Sequence, residues 1–196
     1  QGHAGRVCQN YSIYQQNIEK DRISDIALKF YSDKSLHGFA DKDYKLRGDG
    51  KPLLQQQRSL IIPLVENQIQ KINPLKKILE IGTGNGDILA YLAKKYSNLE
   101  FFGVDLSVFN AIKKHNLPNL HFVEGYALDL LMKGKISGDI IFGSSTFCIF
   151  TPKEFVAYLK AMKTTKGIVI SEPVTFGYKH TKDTRAISRH MDLYMW

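Results

Sequence analysis

From residue 75 onward, short apolar runs alternate with longer segments whose apolar residues recur at helical spacing. The apolar runs are rich in β-branched residues and have the length of buried strands. They cover residues 78–81, 101–105, 120–123, 139–143 and 168–172. Strands separated by helices pair in parallel, with helices on both faces of the sheet. The pattern therefore predicts an α/β fold with a doubly wound, mainly parallel sheet.

The helix between the last two strands has the clearest start signal, because Thr151 can serve as N-cap, Pro152 as the first residue and Glu154 as the partner in a capping box. Ser107 is a second candidate cap, for a helix that follows the second strand. The buried face of the helix after the first strand is expected to consist of Ile88, Leu89, Leu92 and Ala93. That of the helix after Thr151 is expected to consist of Phe155, Val156, Leu159 and Met162.

Two further helical patterns precede residue 75 and predict an N-terminal helical cap. The first contains Ile23, Ile26, Ala27 and Phe30; the second contains Leu60, Ile61, Leu64, Val65, Ile69 and Ile72. Pro63 is expected to begin or kink the second helix. The polar segment 32–52 between them is long for a loop, and loops of this length are usually functional or mobile. Residues 1–10 are interpreted as a tag remnant or a disordered tail.

Composition narrows the class of protein. The chain has 196 residues, of which 43% are hydrophobic and 23% charged, as in an ordinary globular domain. No apolar run approaches the ~20 residues of a membrane helix, so no membrane association is expected. Cys8 and Cys148 lie too far apart in sequence to suggest a disulfide framework or a metal site, which favours the cytoplasm. The net charge of +8 comes largely from lysine doublets rather than a basic block, which disfavours nucleic acid as a partner without settling the point.

The strand at 78–81 ends in three glycines at alternate positions, Gly82, Gly84 and Gly86, and a helix follows at once. Glycines at a strand-to-helix turn let backbone N–H groups approach a ligand closely, as in nucleotide-binding α/β domains. A dinucleotide fingerprint would require glycine at position 87, where Asp87 stands. The next strand ends in Asp105, near the distance at which an acid accepts hydrogen bonds from a ribose.

With Glu80 ahead of the glycines, this arrangement resembles motif I of the class I S-adenosylmethionine-dependent methyltransferases, over about residues 75–174. The resemblance implies a Rossmann-like fold and S-adenosylmethionine as the cofactor. Glu80 would organise the glycine loop or meet the methionine amino group, and Asp105 would bind the ribose. The cofactor-binding residues that the resemblance implies are Glu80, Gly82, Thr83, Gly84, Gly86, Asp105, Leu106, Tyr126, Ala127 and Gly143.

One position departs from the family pattern. Tyr126 stands where the family usually has an acid for the adenine amino group. An aromatic ring can stack, and its hydroxyl can donate, but it cannot accept hydrogen bonds as a carboxylate does. Asp129, three residues later, also fits the family motif, although it can equally be a helix-start acid.

The methyl acceptor is less well marked. The motif (Asp/Asn)-Pro-Pro-(Tyr/Phe), typical of methylation at amino groups of nucleobases or glutamine, is absent after the fourth strand, where residues 143–147 read Gly-Ser-Ser-Thr-Phe. We therefore expect O-methylation of a small molecule such as a sugar or secondary metabolite. RNA or protein methylation and a non-catalytic nucleotide-binding module stay open as alternatives. A short-chain reductase is disfavoured, because its Tyr-x-x-x-Lys pair is matched only by Tyr91 and Lys95, beside the glycine turn.

Candidate general bases are His37, His180 and Glu172, with His190 as a further histidine near the end of the chain. We expect the acceptor pocket to be reached from the long N-terminal loop by Tyr31, His37, Tyr44 or Arg47, and from the other side by His180 or His190. Methyl transfer is an in-line displacement, so the enzyme must supply alignment and, for a hydroxyl acceptor, a base.

These predictions divide the chain into a tail (1–10), an N-terminal cap with a substrate-side loop (11–74) and a cofactor-binding methyltransferase domain (75–196). Family members usually complete the sheet with an antiparallel hairpin after the fifth strand. Only residues 175–196 follow that strand here, so we expect either a sheet without the hairpin or a chain that continues beyond Trp196.

Overall fold

The structure is a computed structural model that describes residues 53–147, 150–171, 174–175 and 189–190. Its helices are α1 (Leu53–Lys71), α2 (Asp87–Lys95), α3 (Phe109–Lys114), α4 (Ala127–Met132) and α5 (Pro152–Ala161). Its main strands are β1 (Lys77–Ile81), β2 (Glu100–Asp105), β3 (Leu120–Glu124), β4 (Ile140–Ser144) and β5 (Gly167–Ser171). Two short strands follow, β6 (Val174–Thr175) and β7 (Arg189–His190).

The five main strands form one sheet in the order β3-β2-β1-β4-β5, and every neighbouring pair is parallel. The first strand of the sheet, β1, is central; the following strands extend outward to β3, and the chain then crosses over to β4 on the other side of β1. This change of direction makes a crevice at the carboxyl ends of β1 and β4, the place where open α/β sheets bind ligands. The predicted doubly wound, parallel fold is confirmed.

Alternation along the strands gives the sheet two apolar faces. On one face, Ile78 and Phe142 pack with α1 and α2; on the other, Leu79 and Ile141 pack with α4 and α5. Helices thus cover both sides, as predicted for a parallel sheet. The described part of the predicted N-terminal cap is α1, which lies against β4 and β5. None of the helices in the described residues is long and apolar enough to cross a membrane.

The buried face of helix α1 contains fewer of its apolar residues than the sequence pattern indicates. Pro63 lies inside the helix, and Ile61 and Val65 are fully buried, whereas Leu60 and Leu64 are 62% and 49% exposed. Positions four apart share a face, so Ile61 and Val65 define the side toward the sheet and the two leucines lie outside it. Two of the six apolar residues that mark this helical pattern, Leu60 and Leu64, therefore do not contribute to its buried face.

Helix α5 confirms the predicted capping box, since the Thr151 side chain accepts from the Glu154 N–H and the Glu154 side chain accepts from the Thr151 N–H. Its buried face is shifted, however: Tyr158 is fully buried and Val156 is exposed. The Tyr158 hydroxyl accepts a hydrogen bond from the Leu128 N–H at 3.1 Å, so the ring can be buried with its polar group satisfied.

Helix α3 begins later than predicted. Its N-cap is Val108, and no side chain makes a capping hydrogen bond there. The Ser107 hydroxyl oxygen is buried and has no hydrogen-bond partner within the described residues. Ser107 is therefore not the cap.

Among the described residues, β6 and β7 form a separate two-stranded parallel sheet, and the main sheet has five strands.

Candidate nucleotide-binding site

The turn between β1 and α2 is held against β2 by its own backbone. The N–H groups of Gly82 and Thr83 donate to the Val104 carbonyl at 2.8 and 3.2 Å, and the Gly86 N–H donates to the Thr83 carbonyl at 2.8 Å. All three glycines of the turn have positive φ, at 73°, 52° and 71°. Such angles strain residues that carry a Cβ, so this turn requires glycine.

Two of these glycines differ in what surrounds them. A Cβ on Gly82 would lie 2.1 Å from the Thr146 hydroxyl oxygen, so the segment after β4 approaches this backbone too closely for a side chain. A Cβ on Gly84 would meet nothing within 4 Å. Gly82 thus allows close packing inside the protein, while Gly84 faces open space, where a ligand can approach the backbone.

Asp105 closes the turn from the end of β2. Its Oδ2 accepts a hydrogen bond from the Gly84 N–H at 2.8 Å, and its Oδ1 accepts from the Leu106 N–H at 2.7 Å. The carboxylate is therefore fixed beside the open space at Gly84. A group so placed can accept hydrogen bonds from ribose hydroxyls, the role that the sequence predicts for it.

Glu80 lies on β1, two residues before the first glycine of the turn, and is buried, with 2% of its surface exposed. Its Oε2 accepts a hydrogen bond from the Thr83 hydroxyl at 2.8 Å. Burial raises the pKa of Glu80 from 4.5 to about 8; the Thr83 hydrogen bond opposes this rise, and the charges of Asp105 and Asp87 add to it. The carboxyl is therefore largely protonated at neutral pH, and a cation brought beside it would favour its ionised form.

The end of β4 forms the other side of the crevice. Ser145 has a positive φ of 54°, unusual for a residue with a Cβ, and its N–H donates to the Ser171 carbonyl at 2.8 Å. The Ser144 hydroxyl oxygen is buried and has no hydrogen-bond partner in the described part of the chain. A buried hydroxyl without a partner beside a ligand crevice fits a contact to a bound molecule. The cofactor predicted from sequence therefore fits the residues present.

The individual hydroxyls at this end of β4 carry no distinctive signal in the sequence. A run of small hydroxyl residues such as the one after Gly143 is compatible with a ligand contact and equally with a plain loop. Gly143 itself lies against the Phe147 ring, which a Cβ would approach to 2.7 Å. Its predicted place in the cofactor site stays a prediction.

The turn between β3 and α4 carries the predicted contacts Tyr126 and Ala127. Ala127 is buried, while Tyr126 is partly exposed and its hydroxyl donates to Glu154 Oε1. The same Glu154 closes the capping box of α5. The sequence identified Glu154 as a helix cap only, because nothing local signals its contact with a residue 28 positions earlier.

The predicted catalytic residues are not among the described side chains. His37, Glu172 and His180 lie outside the described residues, as do Tyr31, Tyr44 and Arg47, and only the backbone of His190 is described, in β7. Their roles stay predictions. The described residues contain no group of three or more histidine, cysteine or acidic side chains that could hold a metal ion.

Comparison with known proteins agrees with this geometry. Residues 78–165 match the sequence model of a methyltransferase domain. A fatty-acid O-methyltransferase of Mycolicibacterium smegmatis is 36% identical over 58 residues, which is 28% of this chain and 21% of that protein. The chain thus matches about a fifth of the length of this curated relative.

Solved structures share the fold at low sequence identity. A S-adenosylmethionine-dependent methyltransferase from Archaeoglobus fulgidus superposes with a TM-score of 0.56 at 18% identity, covering 83% of this chain and 71% of that one. Coclaurine N-methyltransferase, bound to N-methylheliamine and S-adenosylhomocysteine, gives a TM-score of 0.53 at 14% identity, covering 86% of this chain and 52% of that one. A plantazolicin methyltransferase in complex with S-adenosylhomocysteine gives 0.52 at 19% identity, with 77% and 55% covered.

The glycine turn, the acid at the end of β2 and the parallel sheet order all lie within or beside the matched segment. Residues 78–165 thus match a methyltransferase domain in sequence, and the fold around them is shared with methyltransferases of known structure.

Proposed function

We propose that this protein is a S-adenosylmethionine-dependent methyltransferase that binds its cofactor across the glycine turn. The observation that carries the proposal is the open space at Gly84, bounded by the fixed carboxylate of Asp105. Asp105 would accept hydrogen bonds from the ribose, and Glu80 would face the methionine amino group. Because Gly84 has no side chain, a polar ligand can come close to the backbone of the turn there.

The cofactor, when bound, supplies a methyl group on a positively charged sulfur. The protein must then hold the acceptor in line with that methyl and keep it there, because proximity and orientation lower the barrier to such displacements. The strand order supports a reaction at the crevice between β1 and β4, because Glu80 and Ser144 lie near the carboxyl ends of these two strands.

The proposed acceptor is an oxygen on a small molecule, such as a sugar or another secondary metabolite. The short match to a fatty-acid O-methyltransferase supports oxygen as the acceptor atom. RNA or protein as the acceptor, and a cofactor-binding module without transfer activity, are the alternatives. We place the protein in the cytoplasm on its cysteine content alone. His37, His180 and Glu172 are the proposed bases for a hydroxyl acceptor.

Cofactor binding is tested by isothermal titration of the full chain with S-adenosylhomocysteine. Asp105→Asn keeps the size of the side chain but removes its charge, and should weaken binding about tenfold or more, since hydrogen bonds to a charged group are lost. The matched control is Glu100→Gln, at the opposite end of the same strand, where the acid is exposed and pairs with His121 at 2.8 Å. This control should change affinity by less than about twofold. Preference for NAD over S-adenosylhomocysteine would refute the proposal.

Transfer is tested by screening oxygen-containing small molecules, RNA and peptides with cofactor labelled in the methyl group. Once an acceptor is found, His37→Ala, His180→Ala and Glu172→Gln are compared at saturating cofactor. The residue that acts as the base should lower turnover about tenfold or more, and its loss should remove the corresponding limb of the pH–rate profile. Cofactor binding without labelling of any acceptor would favour the binding module.

A further inference from the structure

The turn between β3 and α4 is the next feature along the sheet edge beyond Asp105. Because the order is β3-β2-β1, a nucleoside with its ribose on Asp105 and its remaining part at the glycine turn directs its base toward β3. The first residues after β3 on this edge are Gly125 and Tyr126. This reasoning rests on the proposed function, since it needs a nucleoside in the crevice.

The hydroxyl of Tyr126 is directed into the protein rather than toward that edge. It donates a hydrogen bond to Glu154 Oε1, and Glu154 has only 2% of its surface exposed. The other oxygen of Glu154 accepts from the Thr151 N–H at 2.9 Å and from the Thr151 hydroxyl at 3.2 Å. The acceptor of the tyrosine hydroxyl is therefore a buried carboxylate that is itself fixed by helix α5.

The ring of Tyr126 is held from the same side. It meets Phe150 edge to face, with centroids 6.3 Å apart and planes at 83°. Tyr158, whose ring stacks on Phe150 at 4.5 Å, also interacts through its hydroxyl with that of Tyr126. Moving the Tyr126 hydroxyl toward a ligand would remove a donor from one oxygen of a buried carboxylate, and such a loss is costly. The hydroxyl of Tyr126 is therefore engaged inside the protein, and the side chain can contact a base only through its partly exposed ring.

We propose that Tyr126 determines how this protein recognises the base: it meets the base with its ring, and Glu154 positions that ring through the buried hydrogen bond. Stacking on an aromatic ring does not distinguish an exocyclic amino group from an oxo group, because every purine offers a π-face. A carboxylate at this position would accept from the amino group and reject the oxo group. The protein should therefore discriminate poorly between adenine and hypoxanthine.

The test uses the full chain and two ligands, S-adenosylhomocysteine and S-inosylhomocysteine, which differ at the C6 group, amino or oxo, and in the proton that the oxo form carries on N1. Isothermal titration of the wild type should give dissociation constants within about tenfold of each other. A preference for the adenosyl ligand of about a hundredfold or more would show that polar groups read the N1 and C6 positions of the base, and would overturn the proposal. This measurement needs no variant.

Variants then separate the ring from the hydroxyl. Tyr126→Phe should weaken both ligands to a similar degree and leave their ratio within about twofold of the wild type, whereas Tyr126→Leu, which removes the ring, should weaken both by about fivefold or more. Glu154→Gln retains an acceptor for the tyrosine and should bind more like the wild type than Glu154→Ala does. Thermal unfolding of each variant verifies that it is folded.

A changed ligand ratio in Tyr126→Phe would mean that the hydroxyl reads the base, and unchanged affinities in a folded Tyr126→Leu would mean that the ring does not touch it. Either result would overturn the proposal. A wild-type chain that bound neither ligand would refute the proposed function itself, which is a different outcome from a high preference for adenine.

Discussion

Glu80 should destabilise the free protein at neutral pH, although it lies in the proposed cofactor site. Burial raises its pKa from 4.5 to about 8, so as pH rises the unfolded state loses this proton before the folded state does. The unfolded state binds fewer protons across that interval, and the free energy of unfolding must fall with rising pH. The contribution of Glu80 to the free energy of unfolding is therefore most favourable below pH 4.5. It falls as the pH rises and reaches its lowest value above about pH 8.

The magnitude follows from the size of the shift. One unit of pKa corresponds to about 1.4 kcal/mol, so the cost accumulated between pH 4.5 and pH 7 reaches about 3 kcal/mol as an upper bound. Glu80→Gln keeps the oxygen that accepts from Thr83 but cannot ionise. We therefore expect this variant to be more stable than the wild type at pH 7, by about 1–3 kcal/mol, and to show a flatter pH dependence between pH 5 and pH 8.

Urea unfolding at several pH values measures this difference. Glu154→Gln is the matched control, because Glu154 is also only 2% exposed but accepts hydrogen bonds from both Thr151 and Tyr126. Glutamine replaces one of the two accepting oxygens by an amide group and so removes an acceptor from these hydrogen bonds, which should not stabilise the protein. A Glu80→Gln variant that is less stable than the wild type at pH 7, or that keeps the wild-type pH dependence, would refute the reasoning.

Three further predictions concern the turn and the scaffold. Gly86→Ala should destabilise the fold by about 2 kcal/mol or more, since its Cβ would lie 2.6 Å from an aromatic ring, whereas Gly84→Ala should cost about 1–2 kcal/mol from backbone strain and mainly weaken S-adenosylhomocysteine binding. Asn119→Ala removes a buried amide that donates to three backbone carbonyls and should cost about 2–3 kcal/mol, while the exposed Asn116→Ala should change stability by less than about 0.5 kcal/mol. Asp139→Asn should cost about 1–2 kcal/mol at neutral pH. Although partial burial opposes it, hydrogen bonding lowers the pKa of Asp139 below 3.8, so this contribution is present above pH 3.8 and disappears as the pH falls below it.

The fold was predictable because its signals are local. The predicted fifth strand covered residues 168–172, and the observed strand is Gly167–Ser171, a displacement of one residue. The capping box at Thr151 was also predictable, since both partners lie within one helical turn. Apolar runs and caps determine where elements begin and end, and alternation of strand with helix determines that the sheet is parallel.

Contacts between distant segments were not predictable in the same way. Thr146 approaches Gly82 across the crevice, 64 residues away in sequence, and only the packing of β4 beside β1 brings them together. The burial of Tyr158 on helix α5, in place of the predicted Val156, also depends on contacts between distant segments. Hydrophobicity alone favours valine, but the tyrosine ring fills the aromatic cluster and its hydroxyl finds a backbone donor, which depends on the position of Leu128.

The acids around the glycine turn lead to a last prediction, which concerns protons released on binding. Burial raises the pKa of Glu80 to about 8, so this carboxyl holds a proton at neutral pH. If the cofactor's ammonium group meets Glu80, as proposed, its positive charge favours the ionised carboxylate, and binding at pH 7 must release up to about one proton. Titrations in buffers of different ionisation enthalpy measure this number directly, and affinity should rise as the pH increases from 6 toward 8. Glu80→Gln should abolish the release, whereas Glu100→Gln, far from the turn, should leave it unchanged. Proton release that persists in Glu80→Gln would assign it to another group and separate Glu80 from the ammonium.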